Sequence, residues 1–172
     1  MRNDLIWLAR GARGVACIVC ASLLLVFSCN VFAAEMQIIM LSEDAPAAPD
    51  LEWKDSTTIP PGVKMIMILG SAKQPGPYIF RARFPAGYVL PAHRHEDRRS
   101  VTVLKGHYWS GVGEKFDRER LAKFGPGSFY VTEAGVPHFA WAEDEVIIQE
   151  MGMGPIGNPI EYLNPADDPR RR

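Results

Sequence analysis

The clearest pattern in the chain is an alternation. Residues 78–84 read YIFRARF, and Phe80, Ala82 and Phe84 alternate with Arg81 and Arg83. A period of two predicts a β-strand with one apolar and one solvated face. Residues 64–69 (KMIMIL) form a short apolar run between the turns Pro60-Pro61-Gly62 and Gln74-Pro75-Gly76-Pro77, which predicts a buried strand. Further strands are expected at 88–95, 101–104, 107–112, 128–131, 137–141 and 146–151. Pro85-Ala86-Gly87, Gly106 and Gly125-Pro126-Gly127 turn the chain between them. The charged stretch 114–124 leaves room for one short surface helix. Residues 45–50, rich in Pro and Ala, predict an extended lead-in, and the Gly- and Pro-rich segment from Gly152 predicts a frayed tail. Many short strands with turn signals about every eight to twelve residues predict an all-β sandwich or barrel.

The N-terminus breaks this pattern. Arg2, Arg10 and Arg13 flank and precede an apolar run over 15–27, and Val31-Phe32-Ala33 follows. That order is the one found in a secretory signal peptide, with cleavage expected after Ala33. The run is about 13 residues, shorter than the roughly 20 of a membrane-spanning helix. No adjacent arginine pair occurs in this segment, so general secretion is expected, to the periplasm or outside the cell. Cys17, Cys20 and Cys29 all lie within it, which leaves the mature chain without a disulfide or a thiolate ligand. Val26-Phe27-Ser28-Cys29 loosely resembles a lipoprotein box in which Phe27 fits poorly; lipidation there would make Cys29 the N-terminus. The expected division is a signal peptide at 1–33, an N-terminal extension at 34–60, a barrel at 61–155 and a C-terminal tail at 156–172.

Composition narrows the function classes. Of the 19 basic and 20 acidic residues, Arg2, Arg10, Arg13 and Asp4 fall in the signal segment, so the mature chain carries a net charge of −3. Such a surface points to no nucleic acid and no membrane surface. About 139 residues remain, enough for one core without staples. No integral membrane segment is expected in the mature chain.

The candidate chemistry lies in the histidines. His93 and His95 stand two apart in an extended stretch, so both point to one side of a strand. His138 opens another strand more than forty residues later, and a barrel can bring it opposite the pair. Three neutral imidazoles suit a divalent ion such as Fe, Mn, Ni, Cu or Zn and leave positions open for water or substrate. The competing reading is three scattered polar residues.

The surrounding spacing carries a resemblance. The segment GYVLPAHRHEDRRSVTVLKG resembles the first motif of the cupin superfamily, with Gly87, His93, His95 and Gly106 in register. The segment GSFYVTEAGVPHFAWA resembles the second, with Gly127, Gly135 and His138 in register. The resemblance covers residues 78–151 and is similar to that of small exported bacterial cupins. It implies a single cupin jelly-roll barrel with an N-terminal extension, a metal on His93, His95 and His138, a small-molecule ligand and a homodimer.

Three positions depart from the motifs: Arg99 stands where the first motif has a metal-ligating Glu, Glu133 where the second has Pro, and Ala142 where it has Asn. Arg99 admits three readings. The metal rests on three histidines and Arg99 binds an anionic substrate; or the loop shifts and Glu96 or Asp97 supplies a fourth ligand; or the metal has been lost. Glu133 is a candidate partner for Arg98 or Arg99, or a solvated charge. His107 belongs to neither motif and is expected at the surface. Tyr108, Trp109, Phe139 and Trp141 are expected in the core or cavity wall. Gln149, polar within the apolar run VIIQEM, is expected to face the interior and hold substrate. The resulting expectation is a metal-dependent enzyme of dioxygenase, isomerase or lyase type acting on a small polar or anionic molecule. The alternatives are a non-catalytic binding or sensing cupin and a structural dimer.

Overall fold

The structure is a computed structural model that describes residues 52–171. The expected signal segment, its cysteines and most of the expected extension lie outside the described residues. Among the described residues, eleven strands form two antiparallel sheets. One sheet holds β1 (Lys54–Asp55), β2 (Lys64–Leu69), β3 (Gly76–Phe84), β10 (Val146–Gly154), β5 (Arg99–Lys105) and β8 (Phe129–Thr132), in that spatial order. The other holds β11 (Glu161–Tyr162), β4 (Val89–Arg94), β9 (His138–Ala142), β6 (Tyr108–Val112) and β7 (Ala122–Phe124). This is the all-β architecture that the strand pattern predicts, in the jelly-roll form that the motif resemblance implies.

The period-two pattern of β3 sets the inner face. Tyr78, Phe80, Ala82 and Phe84 are buried, and they meet Val101 and Val103 of β5, Val146 and Ile148 of β10 and Leu90 of β4 in one core. A fully buried side chain of this size contributes roughly 1.5–3 kcal/mol. Gly106 turns β5 into β6 at φ +75°, and a Cβ there would run into the Glu145 carbonyl. His107 follows on the surface, its backbone and ring both held by Asp144.

Two expectations are corrected. The charged stretch 114–124 forms only a 3₁₀ turn, Arg118–Arg120, because β7 begins at Ala122 and leaves no room for a longer helix. The C-terminal tail is docked rather than frayed. β11 pairs with β4, and Asp168 is only 7% exposed. Arg170 donates to the Ile160 carbonyl (2.8 Å), to Asn158 Oδ1 (2.9 Å) and to Asp168. One guanidinium thus satisfies acceptors that a Gly- and Pro-rich segment leaves open. No helix among the described residues is long and apolar enough to cross a membrane.

Candidate metal centre

The three histidines meet. His93 on β4 and His138 on β9 are direct cross-strand partners, and His95 follows β4 immediately. The pairing shifts register between Leu90 and His93, where β4 carries one residue more than β9. Pro91, which has no N–H to give to the ladder, sits in that bulge. The extra residue changes which side faces in. Leu90 is buried before the bulge, and His93 and His95 are buried after it. Gly135, at φ +73° in the turn before β9, donates its N–H to the His95 carbonyl at 2.8 Å.

Each ring is held by its Nδ1. His93 Nδ1 lies 2.7 Å from the Pro91 carbonyl, His95 Nδ1 2.7 Å from the Pro159 carbonyl and His138 Nδ1 3.0 Å from the Val136 carbonyl. A carbonyl oxygen only accepts, so each Nδ1 carries the hydrogen and each Nε2 is left with a lone pair. Burial is the largest cause holding all three rings below the usual histidine pKa, and the Arg99 charge lowers each further. The rings are therefore neutral at pH 7. Their ligand atoms lie within 4.8 Å of one another, and all three residues are buried. Three nitrogens at about 2.1 Å from one ion stand about 3.4 Å apart at tetrahedral angles. Among the described residues no other group of histidines and acids meets in this way.

Arg99 is buried, at 5% exposure, and all three of its nitrogens have acceptors. Nε donates to Asp97 Oδ1 (3.0 Å), Nη1 to Glu150 Oε2 (3.4 Å) and Nη2 to the Pro159 carbonyl (2.6 Å). Tyr78 donates its hydroxyl to the other oxygen of Asp97 at 2.5 Å. Gly152, opposite Tyr78 on β10, leaves space for that contact, which a Cβ would fill. Against the cost of burial, Glu150 and Asp97 keep the guanidinium charged. Burial raises the Glu150 carboxyl, and Arg99 opposes the rise.

Neither candidate fourth ligand joins the histidines. Glu96 accepts from the Gly157 N–H at 2.7 Å, and Asp97 is taken by Arg99 and Tyr78. Glu133 pairs with Arg98 at the surface. Gln149 is corrected: it pairs in register with Arg81 on the outer face and accepts from its Nε at 3.2 Å. Glu150, one residue on, faces in opposite Phe80. Glu150 is the residue that the sequence reading missed. Trp109 and Trp141 are also corrected, since they pack together at 5.9 Å on the outer face, capped by Lys123 and Arg118. Tyr108 faces the core, and Phe139 is buried beneath Phe116.

A cavity of about 200 Å³ opens beside the histidines. Ile59, Met65, Met67, Phe80, Leu90 and Ile160 form its apolar walls. His93, His95, Arg99 and Glu150 supply its polar side.

No family sequence profile matches this chain, and no curated protein matches it. Solved structures do. An RmlC-like cupin from Shewanella frigidimarina superposes with a TM-score of 0.51 at 18% identity, over 66% of this chain and 94% of that one. The DMSP lyase DddQ from Ruegeria pomeroyi superposes with a TM-score of 0.54 at 15% identity, over 65% and 60% of the two chains. KdgF from Halomonas sp. gives 0.48 at 19% identity, over 60% and 88%. The chain has the cupin jelly-roll fold.

Proposed function

We propose that this protein is an exported, metal-dependent enzyme whose ion rests on His93, His95 and His138 and whose substrate is a small organic molecule. The observation that carries the reading is the meeting of three buried histidines whose candidate ligand atoms lie within 4.8 Å of one another, each ring held by a backbone carbonyl on its Nδ1. Three adjacent buried acceptors with no donor between them suit a cation. Fe, Mn, Ni, Cu and Zn all suit three imidazoles. Once bound, such an ion supplies a Lewis acid that polarises a substrate oxygen. The chain's own residues do the rest. The Pro91, Pro159 and Val136 carbonyls orient the rings, the apolar walls keep bulk water out, and Arg99 holds Glu150 at the cavity.

Dioxygenase, isomerase and lyase chemistry all suit an ion with open positions. Export rests on the segment 1–33. A homodimer belongs to the same reading, and the exposed row of Phe129, Val131 and Met151 on the outer face of the six-stranded sheet is the surface it would use.

To test the enzyme reading, the protein is loaded with each of the five metals in turn and incubated aerobically and anaerobically with a panel of small alcohols, phenols and acids. Products are read by mass spectrometry. Turnover with one metal, lost in His93→Ala, is expected. Binding of panel members without turnover under any metal would overturn the enzyme reading in favour of a binding protein.

A further inference from the structure

The cavity beside the histidines gathers its polar groups into one connected cluster. His95 Nδ1 and Arg99 Nη2 share the Pro159 carbonyl, and Arg99 Nη1 reaches Glu150. The ring centres of His93 and His95 stand 4.9 Å apart. All four side chains line the cavity. The remaining walls include Met65 and Met67 of β2, Phe80 of β3, Leu90 of β4, and Ile59 and Ile160 from the segments before β2 and β11.

Those walls have little that is polar to offer. The polar groups around them are already hydrogen-bonded within the protein. The Thr58 carbonyl accepts from the Tyr162 hydroxyl at 3.0 Å, the Ile59 N–H donates to Ser56 Oγ at 3.0 Å, and the Ala72 carbonyl accepts from the Ile156 N–H at 2.8 Å. Thr58 and Tyr78 are the other lining residues with a polar side chain, and Tyr78 gives its hydroxyl to Asp97. A ligand hydroxyl pressed against these walls leaves its water partners and gains none. A hydrocarbon body gains by the same transfer. An apolar cavity of about 150 Å³ holds a benzene molecule. The cavity here, about 200 Å³, takes one six-membered ring and a small head.

We propose that this cavity selects small amphiphiles, with one metal-binding head on a compact apolar body of about one six-membered ring, and that Met65, Met67, Phe80 and Ile160 select against polyhydroxylated, sugar-like compounds on the same skeleton. The head rests on the three-histidine reading, because His93 and His95 border the cavity. The body is selected by the walls alone. The discrimination is therefore independent of the charge of the head.

The test uses the full mature chain loaded with Co(II). Cobalt uptake is read first, from visible absorption. Cyclohex-1-ene-1-carboxylate and shikimate share one head and one ring, and shikimate adds three hydroxyls. In calorimetric titrations at neutral pH the plain acid is expected to bind at least about tenfold more tightly, the scale of leaving one polar group unpaired. 4-Methylbenzoate and 4-hydroxybenzoate exchange a methyl for a hydroxyl of similar size, and the methyl compound is expected to bind more tightly. Met67 lines the cavity at 43% exposure. Met67→Trp, which fills that space, is expected to weaken the plain cyclohexene acid by about tenfold with cobalt stoichiometry unchanged. Equal or reversed order in either pair overturns the proposal. So does an unchanged affinity in a folded Met67→Trp protein, or no binding of either cyclohexene acid to the cobalt-loaded chain at millimolar concentration. The wild-type order decides the matter even if the variant fails to fold. Failure of cobalt uptake speaks against the metal centre instead. The walls are then tested on the metal-free chain with benzene, which is expected to raise the melting temperature; no shift overturns the apolar seat.

Discussion

His95 and Arg99 donate to the same acceptor. The Pro159 carbonyl oxygen receives His95 Nδ1 at 2.7 Å and Arg99 Nη2 at 2.6 Å. Arg99 occupies the position where the first cupin motif carries a metal-ligating Glu, yet its side chain is tied to the support of a histidine. The guanidinium braces one ring from behind and holds two carboxylates, Asp97 and Glu150, in place.

Removing that brace should cost both stability and metal. Arg99→Met leaves two buried carboxylates without their counter-ion, a loss of about 3–5 kcal/mol. Loss of an outer partner of a metal-binding histidine typically lowers metal affinity about 10- to 100-fold. Denaturant titration and competition with a chelator check the two effects. Tighter metal binding in the variant would mean instead that Arg99 merely blocks the site.

Arg170 should matter at a distance. It grips Asn158 and Ile160, the residues on either side of Pro159. Arg170→Ala is expected to weaken metal binding by about tenfold with the fold retained. Arg170→Lys, which has no fork to grip two acceptors, is expected to recover little of it. Chelator competition alongside circular dichroism separates the local effect from unfolding.

Gly152 is required by the contact between Tyr78 and Asp97. Gly152→Ala puts a methyl group against the Tyr78 hydroxyl and Asp97, a crowding that costs about 1–3 kcal/mol. Tyr78→Phe in the same chain should relieve part of the clash. A double-mutant cycle measured by thermal denaturation would show that coupling.

The metal-free protein should lose stability as pH falls below the ordinary histidine range. His93, His95 and His138 are held neutral in the fold, chiefly by burial, with pKa values below 6.5. Below pH 6.5 the unfolded chain takes up protons that the folded chain refuses, so stability falls. Each such histidine contributes a slope of about 1.4 kcal/mol per pH unit until its folded pKa is reached. Denaturant titrations between pH 7.5 and about pH 5 measure it. The triple variant with Gln at the three positions should show a flatter profile.

Much of this site was legible in the sequence. The spacing of His93, His95 and His138, framed by Gly87, Gly106, Gly127 and Gly135, located the cluster. The bulge at Pro91 that turns His93 inward left no periodic trace. Gln149 was placed on the wrong face because Val146, Ile147 and Ile148 are all buried in succession. Three buried residues in a row hide the parity of the strand, and β10 also shifts register against β5 at Ile147/Ile148. Arg99 was visible as a departure. Its partner Glu150 lies 51 residues away and becomes a neighbour only through sheet pairing. The tail read as frayed because its Gly and Pro content was weighed without the reach of Arg170.

The measurement that bears most directly on the metal centre is stoichiometry. Mature protein without an affinity tag is purified without chelator, offered Mn, Fe, Ni, Cu and Zn, and assayed by elemental analysis. One ion per chain is expected, bound with a rise in melting temperature and absent from the His93→Ala/His138→Ala protein. A folded wild-type chain that takes up none of the five metals and shows no thermal shift with any of them would contradict the three-histidine centre.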